Sequence, residues 1–423
     1  MTHRWPLDGS TAPLHPVRSE GEESRADRLV AVAARQIAEQ GLGAVSARSV
    51  AAAAGAAASA VNYNLGGMER LLSRAFEHGA AQTADWLTSR ADELRALPRS
   101  PASAAGALEY MVTAWTRSAR PLALLYQEHL AAAPAGKAGA AWTGLWRDFW
   151  LETADTFGLD EVDGRLLHLF FESECLYHLS TWSPALEVAA LRELAQHFAA
   201  LWLDAPAGPS GGALALAERT AGARAAGSLA PGALKIAEAA AEVLQDGLGG
   251  LTHRAVAARV GVTTGAVTHH FRTIEDLVAG AIRGQVMAMT PASGAAQGSG
   301  SVEQPLSVQD LVDNMRRHAL PGEPAGPALT RRHLFLAAVR RPELAGCAAV
   351  IRFAHGGTTR GVLDRLFDIP PEILPLHAGV LSRLLSALWH GCAADAAPAE
   401  SGRGLLDVVT GRLFQRLPTR PPR

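Results

Sequence analysis

The chain has 423 residues, 48% of them hydrophobic, with a mean hydropathy of +0.07, a formal net charge of −2 and a pI of about 6.7. At roughly 100–200 residues per domain this length argues against one compact core, and the abundance of Ala interleaved with Leu, Arg and Glu disfavours an all-β fold. A near-neutral balance confines any surface for a polyanion to local patches, and three widely spaced cysteines (Cys175, Cys347, Cys392) without a CxxC pair argue against a disulfide framework or a Cys-rich zinc site.

Residues 1–23 are rich in Pro, Gly, Ser and charge with no helical period, the composition of a disordered tail. They lack an apolar core of signal-peptide type, and no long uncharged apolar stretch follows, so a cytoplasmic chain without membrane contact is expected. From Ser24 the pattern turns helical. Leu29, Val30, Ala33, Ala34 and Ile37 share one face of a helix that runs to about Gln40 and stops at Gly41. Ser46 is placed to cap a second, short helix with Arg48 in its first turn; Gly55 ends it, and a third helix spans about 58–64. Helix-length segments follow over 68–97, 101–133, 138–158, 163–182 and 184–203. A stretch of linker composition begins near Ala205, with a short helix near 214–224. The second half offers Thr252 as a cap, Arg254, Gly261 and a short helix over 264–270, then segments over 274–289, 305–320, 325–341, 344–368, 371–395 and 402–417, with a Gly/Ser-rich break at 290–301. The boundaries that follow are a tail (1–23), a first three-helix head (24–67), a first helical body (68–205), a linker (206–230), a second head (231–273) and a second body (274–423).

Sliding the chain on itself by 206 residues lays Gly41-Leu42-Gly43 on Gly247-Leu248-Gly249, Arg48 on Arg254, Gly55 on Gly261, Glu69 on Glu275 and Leu71 on Leu277, with no gap from Ala26 to Phe76. Alanines alone match by chance in such a chain. Glycines, Arg and Glu in one register do not. Each repeat places two short helices around a Gly-containing turn, the layout of a helix-turn-helix whose second helix enters the major groove.

At these residues the sequence resembles the TetR family of transcriptional regulators. The second head carries the resemblance in Gly261-Val262-Thr263-Thr264-Gly265-Ala266-Val267-Thr268-His269-His270-Phe271 and Glu275-Asp276-Leu277; the first carries it in Gly55-Ala56-Ala57-Ala58-Ser59-Ala60-Val61-Asn62-Tyr63-Asn64-Leu65 and Glu69-Arg70-Leu71. The resemblance covers about fifty residues of each half. It implies that Arg48 and Arg254 reach base edges, where Arg on guanine is the commonest specific contact. It further implies that Ala58, Ser59 and Ala60, or Thr264, Gly265 and Ala266, face the bases, and that Asn62, Tyr63, Asn64, Thr268 and His270 hold phosphates, contacts that position without specifying. Ser46, Thr252, His253, Thr263 and His269 complete the expected interface with a double-stranded operator. Asn62 and Thr268 stand where the family usually has Tyr, Met68 and Ile274 where it often has a phosphate-binding Lys, and Leu65 where it has Phe. Over Ser24–Glu77, Arg25, Arg28, Arg35, Arg48, Arg70 and Arg74 outnumber Asp27, Glu39, Glu69 and Glu77; over Pro231–Arg283 the charges cancel, yet Arg254, Arg259, Arg272, His253, His269 and His270 crowd the groove-facing part.

In the family the C-terminal part binds a small inducer and dimerises. Trp115, Tyr126, Trp146, Trp150, Phe171 and Tyr177 in the first body, with Arg352 and His355 in the second, are the candidate ligand residues. Each serves equally well in core or interface packing. His168, Glu172 and Cys175 at i, i+4, i+7 have a metal-compatible spacing but read better as a solvated or interface face. Gly208-Pro209-Ser210-Gly211-Gly212 fits GxSxG only in form, since no strand precedes it. No catalytic motif, metal or cofactor is expected.

The expected fold is all-α, two TetR-like units in tandem, each an N-terminal helix-turn-helix domain followed by a ligand-binding and dimerisation bundle. The segments near 163–203 and 371–417 are the expected pairing surfaces, within one chain or in a homodimer. The function expected is a ligand-responsive repressor whose paired halves read an asymmetric operator. Two competing readings are a regulator with only the second head on DNA, the first half being a partner-binding or dimerisation module, and a small-molecule binding protein that has lost DNA binding.

Overall fold

The computed structural model describes residues 24–132, 137–208, 211–225, 229–244, 250–289, 307–318, 326–354, 356–391 and 398–420. The tail 1–23, the Gly/Ser-rich break at 290–301 and the candidate His355 lie outside the described residues. The fold is all-α, and among the described residues the only β pairing is an isolated antiparallel bridge between Phe367 and Thr419. No helix among them is long and apolar enough to cross a membrane.

The first head comprises α1 (Arg25–Gln40), α2 (Ala47–Ala53) and α3 (Ser59–Leu65). The Ser24 hydroxyl accepts from the Asp27 amide at 3.1 Å and starts α1. Its periodic face, Leu29, Val30, Ala33, Ala34 and Ile37, is buried as the spacing requires. Gly41, with φ +86°, ends it. A long α4 (Met68–Arg95) leads from the head into a body of α5 (Pro101–Thr113), α6 (Arg120–Ala132), α7 (Lys137–Phe157), α8 (Glu161–His178) and α9 (Pro184–Trp202). After α10 (Ala213–Ala225) comes the second head, α11 (Pro231–Leu244), α12 (His253–Val260) and α13 (Thr264–His270). The second body holds α14 (Ile274–Met289), α15 (Val308–His318), α16 (Gly326–Val339), α17 (Ala345–Ala354), α18 (Gly357–Leu366), α19 (Leu374–Gly391) and α20 (Pro398–Phe414).

Two departures from the periodicity have local causes. The helix expected over 101–133 is two: the chain widens to a π-helical turn at Ala114–Ser118, closed by the Ala119 amide on the Ala114 carbonyl, and α6 restarts with Pro121, which has no N–H to continue the earlier ladder. The helix expected over 344–368 breaks at Gly356, whose φ of +103° no helix accommodates. The short helix expected near 214–224 is present as α10, fixed at its start because Glu193 accepts from the amides of Gly211, Ala213 and Leu214 at 2.6–2.9 Å. It packs on α9 and α17.

Across the halves, α8 lies along α19, α9 meets α19 and α20, and α6 meets α16. Leu191, Leu194 and Phe198 of α9 and Leu381, Leu384 and Leu388 of α19 are buried, at roughly 1.5–3 kcal/mol for each side chain withdrawn from water. The Trp202 indole donates to the Val409 carbonyl at 3.2 Å, and Arg416 to the carbonyls of Ala200 and Leu201 at 2.9 and 2.7 Å.

Candidate nucleic-acid interface and aromatic cluster

Each head is built so that its second and third helices hold one side inward and one outward. In the second head the Thr252 hydroxyl accepts from the Ala255 amide and starts α12; Gly261, left-handed at φ +75°, ends it. The Thr263 hydroxyl then accepts from the Ala266 amide and starts α13. A three-residue turn with one left-handed glycine thus joins two short helices. Val256, Ala257, Val267 and Phe271 are buried; Arg254, Thr264, Gly265, Thr268, His269 and His270 are exposed. The hydroxyl of Thr268 returns to the Thr264 carbonyl. His253 is turned aside, its Nε2 lying 2.7 Å from the Phe271 carbonyl oxygen, so it braces the end of α13 rather than facing outward.

In the first head Ser46 and Ser49 form a reciprocal capping box at the start of α2. Ser49 also exchanges hydrogen bonds with Gln36, tying α2 to the last turn of α1. Val61 and Leu65 of α3 point inward, and so does Ala60, which was expected against the bases but packs into the head, while Ser46, Arg48, Ala58, Ser59, Asn62 and Tyr63 are exposed, Tyr63 at 90%. The Asn64 amide is half-buried and donates to the Ala60 carbonyl at 2.7 Å.

The ligand candidates divide into two groups. Trp115, Tyr126, Trp146, Trp150 and Phe171 come together with Trp86 and Trp142 inside the first body. Ring centroids lie 4.8 Å apart for Trp115 and Trp146, 4.4 Å for Trp146 and Phe171, 5.3 Å for Trp150 and Phe171 and 5.1 Å for Tyr126 and Trp142. Trp115 sits on the π-helical turn. Tyr126 donates its hydroxyl to Glu172; burial first, then that carboxylate, holds the phenol well above its ordinary range. The indole N–H groups of Trp115, Trp146 and Trp150 and the second oxygen of Glu172 are buried without a hydrogen-bond partner. His168, Glu172 and Cys175, expected on a solvated or interface face, are all buried, with Glu172 facing the Tyr126 hydroxyl of α6. Among the described residues no group of three or more His, Cys, Asp or Glu side chains could hold a metal ion.

Tyr177 and Arg352 belong elsewhere, at the seam between the halves. Arg352 is fully buried, with Nη2 at 2.9 Å from both Glu174 and the Nδ1 of His178. Arg383 meets the other oxygen of Glu174 and lies over the Tyr177 ring, its guanidinium carbon 5.9 Å from the centroid. These charged residues were missed as a group by sequence reasoning. The sequence offered only isolated charges within apolar helices; in the structure Arg340, Arg352, Arg383, Arg412 and Arg416 of the second half pair with Glu128, Glu174, Glu187, Asp163 and Asp204 of the first, and among the described residues no ion pair between the two bodies runs the other way.

A head of this geometry, with the turn glycine, two capped helices and an exposed Arg at the first turn of α12, has the layout of a helix-turn-helix. Residues 236–281, which span most of α11, all of α12 and α13 and the start of α14, match the family described as bacterial regulatory proteins, tetR family. No curated protein matches the chain. The matched segment supports a DNA-binding transcriptional regulator.

Proposed function

We propose that the chain is a ligand-responsive repressor formed from two tandem copies of one helical plan, whose halves pair within the molecule and present unlike heads to an asymmetric operator. The observation that carries this is the seam, where α8 and α9 pack on α19 and α20 with ion pairs all of one polarity. A like-half homodimer would leave the buried Glu174 without Arg352 and Arg383, and those two without Glu174, so the cost of buried charges stripped of their partners disfavours it. The 206-residue shift supports the tandem plan, since it carries Pro101–Thr113 onto 307–319, close to α15, and Arg120–Ala132 onto 326–338, which is α16. Unlike halves need no palindrome, because operator symmetry mirrors protein symmetry.

On DNA, Arg48 and Arg254 read base edges; Ala58, Ser59, Thr264 and Gly265 lie against them; Asn62, Tyr63, Asn64, Thr268, His269 and His270 hold phosphates. Ser46, Thr252 and Thr263 serve through their caps. The effector enters the aromatic cluster of the first body, where the unpartnered indole N–H groups and the free oxygen of Glu172 offer it hydrogen bonds. Binding there shifts the heads and releases the promoter.

Electrophoretic mobility shift with the DNA upstream of the protein's own coding sequence, combined with native mass measurement of the shifted species, tests the reading. One chain per duplex on a non-palindromic site is the expected result. Two chains pairing like halves on a palindrome would overturn it.

A further inference from the structure

The first head is gripped by the opposite half, and the second head lacks the residues for the same grip. α1 ends without a basic residue in its last turn, so its terminal carbonyls need donors from elsewhere. They come from Arg340, just beyond α16. Its Nε donates to the Ala38 carbonyl at 3.2 Å and its Nη2 to the Ile37 carbonyl at 3.4 Å. Its Nη1 meets Glu128 of α6 at 2.7 Å, both side chains being largely buried. The other oxygen of Glu128 accepts from the Leu42 amide at 3.1 Å, so the pair holds both sides of the turn at Gly41. From there the path to the DNA-facing side is short: Gln36 bonds Ser49, Ser49 caps α2 with Ser46, and Arg48 stands between them. The 206-residue shift carries Arg340 back to Pro134 and Glu128 forward to Leu334, neither of which can form such a pair.

Three successive residues of α6 face three different things. Tyr126 belongs to the aromatic cluster and donates to Glu172; Gln127 accepts from Arg332 of α16; Glu128 holds Arg340. A displacement of α6 that rearranges the cluster therefore also pulls on the first head.

We infer that Arg340 is a positioning residue for the first head, and that the Arg340–Glu128 pair fixes α2 and Arg48 while α6 couples that grip to the aromatic cluster. This rests on the reading of the first head as a DNA reader, but the grip itself is testable without DNA. The substitutions are Arg340→Met, which keeps an apolar stem and removes the forked donor, and Glu128→Gln; Arg316→Met, which breaks an exposed pair with Asp407, is the control.

In the full-length protein, Arg340→Met is expected to raise amide hydrogen exchange across residues 37–49 at least tenfold and to leave residues 253–270 as in the parent. Glu128→Gln gives the same pattern and the control gives none. Binding to the half-site of the first head weakens at least fivefold while the second half-site is unaffected, and Arg340→Lys restores part of both. Unchanged exchange over 37–49, or a rise spread equally over both heads, overturns the grip. Raised exchange with unaltered first half-site affinity overturns Arg340 as a positioning residue. If the parent protein does not protect the first half-site at all, the reading of that head fails while the exchange measurement still decides the grip.

Discussion

Arg254 and Thr263 stand a few residues apart and do different work, which single substitutions separate. Arg254 is exposed in the first turn of α12, so Arg254→Ala should leave the fold intact and weaken specific binding by roughly 1–3 kcal/mol, relaxing one half-site only. Fluorescence anisotropy at several salt concentrations measures it; equal losses on specific and random duplexes would show that Arg254 touches phosphate alone. Thr263→Ala instead removes the hydroxyl that accepts from the Ala266 amide and should cost about 1 kcal/mol of stability, seen as a lowered melting temperature. The place of Arg254 was legible in the sequence, because a cap, an Arg and a turn glycine recur at fixed offsets in both repeats; the cap made by Thr263 was not, since Thr263 was expected at the DNA interface and its counterpart in the first head is Ala57. The fate of His253 was not: nothing in the order of residues says that an imidazole beside Arg254 turns back onto the Phe271 carbonyl.

Elements were legible where one face is apolar and a cap or glycine marks the end, as in α1, α9, α12 and α14. They were misjudged where a breaker inside a helix-length segment was passed over, Pro121 within 101–133 and Gly356-Gly357 within 344–368. In 344–368 the break falls within His355-Gly356-Gly357-Thr358-Thr359, where the paired glycines were a stop signal in the sequence that the expectation of one helix passed over. A Cβ at Gly356 would lie 3.0 Å from the Ser382 hydroxyl and 3.1 Å from the Ala378 carbonyl of α19, in addition to the strain of a left-handed φ. Gly356→Ala should therefore destabilise by about 1–3 kcal/mol. Gly361, inside α18 with nothing within 4 Å of an added Cβ, provides the contrast: Gly361→Ala should stabilise by about 0.5–1 kcal/mol, since only the conformational freedom of the unfolded chain is lost. Denaturant titrations of the two variants are expected to move in opposite directions. If they move together, the α17–α18 break is not fixed by the backbone at Gly356.

At the scale of the whole molecule, the seam carries buried charges whose partners lie in the other half, an arrangement no local pattern announces. Glu174 receives both Arg352 and Arg383, so Glu174→Ala strands two buried guanidinium groups and should cost roughly 3–5 kcal/mol. The seam also holds His197 of α9 against His377 of α19, with Nε2 and Nδ1 3.0 Å apart. Burial, and then the neighbouring His377, pulls the His197 pKa down to about 3; burial also lowers His377, against the upward pull of its bond to the Ile373 carbonyl. Burial beside Arg352 lowers His178 further along the seam. All three are thus neutral in the folded protein at a pH where the unfolded chain, with ordinary histidines near 6.5, already binds protons. The sign follows: the unfolded state gains protons first, so stability is fully present above about pH 6.5 and falls as the pH drops toward 3, by up to ~1.4 kcal/mol per pH unit for each histidine. Between pH 6.5 and 5.5 the ordinary carboxylates are still ionised, which isolates the histidines. Melting temperatures taken across that interval should decline for the parent and decline less for a His197→Gln, His377→Gln double variant, with His178 and His333, both lowered by burial, left to contribute to the remaining slope. Equal slopes would mean that the histidine pair already bears charge in the folded seam, and that acid does not act on the union of the two halves through it.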